Sequence, residues 1–214
     1  MAMPKKLEVP SDQEVENTRR SVWREVGSFV LDVVKVAAIS LAIIVPARTW
    51  LIQPFFVQGA SMEPNFYESE YLIVDEISYR FETPQRGDTV VFHPPQRPDE
   101  FYIKRVIGLP GESLLLRGGK VIIINAEYPE GLELNESAYL PAGTLTRATT
   151  ALLPEGVPLR LGNQEYIVLG DNRGNSQDSR AFGPIDRSHI VGRVWLRGWP
   201  LSRVGSVPVP QYSL

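Results

Sequence analysis

None of the 214 residues is a cysteine, so disulfides, thiolate metal sites and cysteine nucleophiles are excluded from the start. Histidine is almost as scarce. The two present, His93 and His189, stand in turn settings, one before Pro94-Pro95 and one after Asp186-Arg187-Ser188, and each reads as a loop residue rather than as a catalytic base. Histidines and carboxylates clustered at ligand spacing are missing as well, which leaves no metal site to expect. Nor is there an excess of basic charge. The net charge is −3, with no basic patch in the body of the chain, so nucleic acid is not an expected partner. Internal repeats and low-complexity blocks are absent too.

What the chain does have is 18 prolines and 17 glycines among short apolar runs, the composition of a loop-rich β domain. Its length allows one compact domain with a real core, plus an appendage. The first 28 residues mix Lys5, Lys6, Arg19, Arg20 and Arg24 with Glu8, Asp12, Glu14, Glu16 and Glu25, and read as a solvated tail that turns helical towards its end. From Phe29 to Val57 the chain becomes strongly apolar. Asp32 and Lys35 interrupt it early, at a spacing that pairs them on one helix face, and Arg48 interrupts it late. The uninterrupted stretch Val36 to Ala47 is shorter than the roughly 20 residues a spanning helix wants. Basic side chains that snorkel to the headgroups and a tryptophan at the interface, Trp50, extend the candidate span to Val30–Trp50. A buried core helix is the rival reading of this segment. A cleaved signal peptide fits poorly, because the charged leader is long and no small-x-small site precedes Gln53-Pro54. The segment is therefore expected to stay attached as an anchor, with its Lys- and Arg-bearing tail in the cytoplasm and the remainder across the membrane.

Beyond Pro64 the pattern predicts strands at Tyr71–Asp75, Thr89–Phe92, Phe101–Ile107, Ser113–Arg117, Lys120–Ile124, Glu165–Leu169 and Ile190–Arg197. Gly118-Gly119 is the kind of two-residue loop that closes a hairpin. Residues 125–163 show no assignable pattern. Asn135-Glu136-Ser137 has the form of a glycosylation acceptor, which is not expected to be used outside a eukaryotic secretory setting. The polar run Gly170–Arg180 reads on its own as a surface turn; its glycine is misplaced for a calcium loop, and its arginines would repel the ion.

Chemistry points to Gln58-Gly59-Ala60-Ser61-Met62-Glu63-Pro64. A serine hydroxyl such as that of Ser61 is a poor nucleophile until a base takes its proton. With both histidines in loops, the candidate base is Lys104. Strand alternation puts Lys104 on one face with Tyr102 and Val106, and Arg105 on the other with Ile103 and Ile107. On an apolar face, desolvation by about 2–3 pKa units from about 10.4 leaves a useful fraction of neutral amine near physiological pH. The same strand also fits a lysine whose stem packs while its head reaches water. The backbone N–H of Ser61 is a candidate oxyanion donor, and Gly59 brings no side-chain donor to add to it.

Taken together, Gly59–Pro64, Tyr71–Asp75, Arg86–Phe92, Tyr102–Glu112 and Gly170–Arg180, in this order, resemble bacterial type I signal peptidase, the membrane-anchored Ser-Lys leader peptidase. The likeness runs from the apolar segment to about Pro200. It implies a mainly β fold, an antiparallel coiled sheet with one N-terminal transmembrane helix. It divides the chain into a cytoplasmic tail (1–28), an anchor (29–52), an extracytoplasmic catalytic β domain (53–203, with 125–163 as an undefined insertion) and a C-terminal tail (204–214). It implies Ser61 as nucleophile and Lys104 as general base. Ser176 would hydrogen-bond and orient the lysine amine, Asp178 and Arg180 would pair to hold their loop against the site, and Arg105 and Asp171 would add further support. The implied function is removal of N-terminal signal peptides from exported precursors, with cleavage after small residues at −1 and −3. No cofactor and no metal are implied. The implied partners are the precursors and the lipid bilayer, with an export machinery as a further candidate, and the implied location is the bacterial cytoplasmic membrane, crossed once.

Three departures from the family pattern stand out: Gly59 where some members have serine, Gly174 where an acidic residue or asparagine is common, and the unmatched 125–163. Two rivals remain at this point. A self-cleaving Ser-Lys regulator of the repressor type would carry a DNA-binding module where this chain has an apolar segment. A tethered, catalytically silent module of the same fold would have no reason to keep both Ser61 and Lys104.

Overall fold

The computed structural model describes residues 12–46 and 53–212, and the chain falls into two compact units, 1–48 and 49–214. Among the described residues of the first unit one helix, α1 (Asp12–Pro46), begins well before the apolar run, since the charged residues ahead of that run are themselves good helix formers. It ends at Pro46, and within it Trp23–Val45 is long and apolar enough to cross a membrane and is nowhere buried. The Asp32–Lys35 pair forms one turn apart at 3.2 Å, so the two early charges offset each other on the helix surface. The expectations for Lys5, Lys6, Glu8, Arg48 and Trp50 fall outside the described residues.

The second unit is built from antiparallel strands in two sheets. The larger contains β1 (Gln53–Phe56), β2 (Tyr71–Asp75), β3 (Thr89–Phe92), β4 (Tyr102–Gly108), β9 (Glu165–Leu169), β10 (Ile185–Asp186), β11 (Ile190–Trp199) and β12 (Gly205–Ser206). Its order is β1-β2-β11-β3-β4-β9-β10, with β12 paired to β11. The smaller sheet, in the order β7-β6-β5-β8, contains β5 (Ser113–Arg117), β6 (Lys120–Ile124), β7 (Leu132–Glu133) and β8 (Leu159–Arg160). The fold is thus mainly β and antiparallel, as expected. Register shifts along β11 and at Val106/Gly108 of β4 bend the larger sheet, since an unpaired extra residue kinks its strand. The curl lets residues of β1 and β4, which are not neighbours in the sheet, line a common groove.

The Gly118-Gly119 loop closes the β5–β6 hairpin with Arg117 opposite Lys120, both glycines having positive φ. β1 was not anticipated. Its Pro54 lacks a ladder donor, and the strand sits at the sheet edge, where a proline is tolerated. Residues 125–163, which carried no motif, hold β7 and β8 and supply Leu134, Tyr139, Leu153 and Leu161 to the core between β5, β6 and β9. A second core lies under the turn that carries Ser61, where Met62, Phe66, Leu72 and Val74 are almost fully enclosed. Near the C-terminus, Tyr212 packs edge-on to Tyr139 and rests, with Pro210, against Gly87.

Candidate active site

Ser61 stands in the turn that leaves β1. Two backbone hydrogen bonds, Val57 N to Glu70 O and Ser69 N to Val57 O, both 2.9 Å, close the base of the loop that contains it. Burying the next side chain, Met62, fixes the turn against the core and leaves Ser61 half-buried at the groove. Gly59, at φ +77°, holds a left-handed conformation with open space where a side chain would start, which explains why glycine suits the position. Among the described residues the Ser61 N–H donates to no protein group, so it is available to an oxyanion.

Lys104 lies in β4, opposite Val90 of β3, and its Nζ is 2.8 Å from Ser61 Oγ. The amine also donates to Ile103 O at 2.8 Å and lies 5.3 Å from the centre of the Tyr102 ring, the neighbour that strand alternation assigned to its face. At 3% exposure the side chain does not carry its head into water. Burial pulls the amine down to about 8, against the Asp178 and Asp171 carboxylates, which pull it back up. The result is a lysine that is partly neutral at mildly alkaline pH and within hydrogen-bond reach of a hydroxyl.

The groove beside this pair has a volume of ≈ 810 Å³ and is walled by Phe55, Val57, Leu72, Val91 and Ile103, with Ser61 and Lys104 at its polar end. Gln58, Gln177 and Glu100 also line it, so a mainly apolar wall carries a few polar groups that can meet the main chain of an extended peptide.

The polar run that looked like a surface turn packs behind the pair. Asn172 N donates to Ser61 O and Asn172 Nδ2 to Ala60 O, both at 3.0 Å, so the nucleophile turn is tied to this loop. A Cβ on Gly170 would stand 2.1 Å from Ser176 Oγ and 2.5 Å from Ser61 O, so only glycine lets the two segments meet. Asp178 and Arg180 pair through Oδ1–Nε (2.8 Å) and Oδ2–Nη2 (2.7 Å), and Gly170 N donates to Asp178 Oδ2 at 2.9 Å. Burial pushes the Asp178 carboxyl up, but Arg180 and the Gly170 amide together outweigh it and hold the group below the usual carboxylate range. On the other face of β4, Arg105 grips Asp171 with two bonds of 2.8 and 2.6 Å, donates to Gly87 O and covers the Tyr139 ring.

Of the residues expected at the site, Ser61 and Lys104 are brought together directly, and Asp178, Arg180, Arg105 and Asp171 form two buried ion pairs around them. Ser176 packs on Gly170, next to the serine's carbonyl. Its hydroxyl is buried without a hydrogen-bond partner among the described residues, near enough to Asp178 to help lower that carboxyl. The expected bond from Ser176 to the lysine amine is not formed in this geometry, where the amine's hydrogen bonds go to Ser61 and Ile103. Three contributors were missed by the sequence reading: Asn65, Asn172 and the Glu136–Arg173 pair, in which Arg173 Nη1 reaches Glu136 Oε2 at 2.9 Å and its Nε donates to Gly170 O. Asn172 lies inside a recognised motif, but nothing local to Glu136 marks it.

Comparison with known proteins gives a consistent result. A family model described as "Signal peptidase, peptidase S26" matches residues 30–199. A "Signal peptidase I" of Leptolyngbya laminosa is 36% identical over 191 residues, covering 86% of this chain and 87% of that protein. A "Probable signal peptidase I-2" of Synechocystis is 34% identical over 200 residues, covering 91% and 82% respectively. A "Signal peptidase IB" of Staphylococcus aureus is 34% identical over 169 residues, covering 77% and 87%.

Proposed function

The chain belongs to the signal peptidase family, peptidase S26, as a bacterial type I signal peptidase, and from that premise we propose that it cleaves through a Ser61–Lys104 dyad. The precursor lays the region before its cleavage point along Phe56–Gly59 as an extended strand, and main-chain hydrogen bonds hold it there. On this reading the apolar walls of the groove take small residues at −1 and −3. Neutral Lys104 takes the proton of Ser61 Oγ as that oxygen attacks the scissile carbonyl, and the Ser61 N–H faces the resulting oxyanion. The ammonium then returns the proton to the departing amine. Water, activated by the same amine, hydrolyses the acyl-enzyme and restores the hydroxyl. Ser176, Asp178, Arg180, Arg105 and Asp171 act behind the pair by holding its two segments in register.

Membrane attachment follows from α1. The reading places the N-terminal tail in the cytoplasm of a bacterium and the β unit outside, with exported precursors as substrates and an export machinery as their source. Exposed Phe56, half-buried Tyr71 and exposed Trp199 align across β1, β2 and β11, a row of rings suited to the bilayer surface from which such substrates emerge.

The observation that carries the proposal is the 2.8 Å separation between a buried amine, which no carboxylate touches among the described residues, and a serine oxygen lining a groove. It is tested by cleavage of a precursor in detergent or lipid, where Ser61→Ala and Lys104→Ala should each lower the rate by at least about 10²-fold. If both variants cut as fast as the parent, the dyad is wrong. The rate should rise with pH through a limb near 8, where the amine loses its proton; a limb near pH 4 points instead to a carboxylate base.

A further inference from the structure

The geometry assigns Asn65 as a positioning residue for the nucleophile, an inference that rests on the Ser61–Lys104 reading. Asn65 belongs to the same turn as Ser61, and its backbone N–H and that of Phe66 both donate to Met62 O at 3.0 Å. With Met62 and Phe66 buried on either side, few torsions remain through which Ser61 could move independently of Asn65.

Four long-range hydrogen bonds converge on this one residue. Its side-chain Nδ2 donates to Asp171 Oδ2 and to Tyr139 O, each at 2.8 Å. Its main-chain oxygen accepts from Arg197 Nη2 at 2.6 Å and from Arg203 Nη2 at 3.1 Å. The two arginines also close on the buried Glu70 carboxylate, Arg197 at 2.8 Å and Arg203 at 2.6 Å, and the Glu70 carbonyl ties down the base of the same loop. The side chain thus faces the segment behind Lys104, while the carbonyl faces β11 and the turn at Leu201–Arg203. Arg203 lies beyond residues 30–199, the part matched by the family model.

Two consequences for the reaction follow. Without its amide the turn loses its fixed distance to β4, and a misplacement on the order of 1 Å is enough to lower a rate about 10²-fold. The amide also takes up part of the Asp171 charge, which favours the ammonium form of Lys104. Its loss leaves that carboxylate more negative, so the amine holds its proton to higher pH.

The test uses the full-length enzyme in detergent and a signal-peptide-bearing precursor at varied concentration and pH. Asn65→Ala should lower kcat roughly 10- to 100-fold with KM within about twofold, and should move the rising limb of the pH profile upward. Arg203→Ala removes one of the two donors to the carbonyl and leaves the Asp171 side untouched. It should lower kcat by about two- to fivefold with the limb unmoved. A folded Asn65→Ala enzyme whose kcat stays within twofold of the parent, or whose only change is a raised KM, overturns the assignment. Should Asn65→Ala lose its cooperative melting transition, Arg203→Ala decides alone: a fall in kcat supports the role and an unchanged kcat overturns it. Ser61→Ala, run alongside, separates the premise from the inference, because residual cutting by that variant removes the dyad whatever Asn65→Ala does.

Discussion

Lys104 and Arg105 are consecutive on β4, equally buried at 3% exposure, and they face opposite sides of the sheet. On one side Arg105 meets a full complement of partners: both Asp171 oxygens, the Gly87 carbonyl and the Tyr139 ring. Its proton is held more firmly than in water, burial working against it and Asp171 outweighing burial. On the other side Lys104 meets a hydroxyl, one carbonyl and an apolar groove, with no carboxylate in contact among the described residues. Its proton is held less firmly. Equal burial therefore produces a permanent charge on one face and a titrating base on the other, and the partners supplied by neighbouring elements decide which.

Substitutions that keep the stems and drop the charges should pull these two faces apart. Lys104→Met should reduce precursor cleavage by about 10²- to 10⁴-fold while leaving urea-induced unfolding unchanged or shifted to higher urea, because it removes a buried amine whose desolvation outweighs the pull of Asp178 and Asp171. Arg105→Met should do the reverse to stability, lowering it by about 3–5 kcal/mol, because Asp171 is then left buried without its counter-charge. Equal destabilisation by the two variants would break the comparison.

A pH series sharpens it further. The folded-state value of Lys104 lies near 8 and the ordinary value is 10.5, so between these limits the unfolded chain binds more protons than the folded one. Stability should therefore rise with pH across that window, by on the order of 3 kcal/mol, and the rise should be missing in Lys104→Met. The smallest effect is expected at the seam between the faces. Gly170→Ala forces Ser176 and the Ser61 carbonyl apart and should cost about 1–3 kcal/mol, together with a loss of activity. Full activity in this variant would show that the seam yields without disturbing the pair.

Much of this was legible in the chain. Strict alternation in Tyr102–Ile107 was enough to put residues 104 and 105 on opposite faces, and uninterrupted β-branched runs marked β2, β3, β6 and β9 at their observed bounds. The Gly118-Gly119 loop announced its own hairpin. What escaped depended on distant partners. Gly170–Arg180 is polar enough to pass for a solvated turn; the family likeness already paired Asp178 with Arg180 and set Asp171 beside the site, but only the fold reveals that Arg173 is buried with them and held by Glu136, a residue from a stretch without a pattern. That stretch enters the core through two-residue strands and isolated anchors such as Leu153, too brief for any periodicity to register. β1 was hidden by its proline and by the apolar segment next to it. The start of α1 was hidden because charge alternation says nothing against a helix.

The depressed basicity of Lys104 also makes it a chemical handle. Near pH 8 a substantial fraction of its side chains carries a free lone pair, against less than about 1% for an ordinary lysine titrating near 10.5. Cyanate is slender enough to travel along the groove and reacts only with unprotonated nitrogen. Brief treatment should carbamoylate residue 104, along with the α-amino group that titrates in the same range, well before the solvent-facing Lys120, and a mass shift on the peptide spanning β4 that the Lys120 peptide lacks would report it without any substrate in the tube.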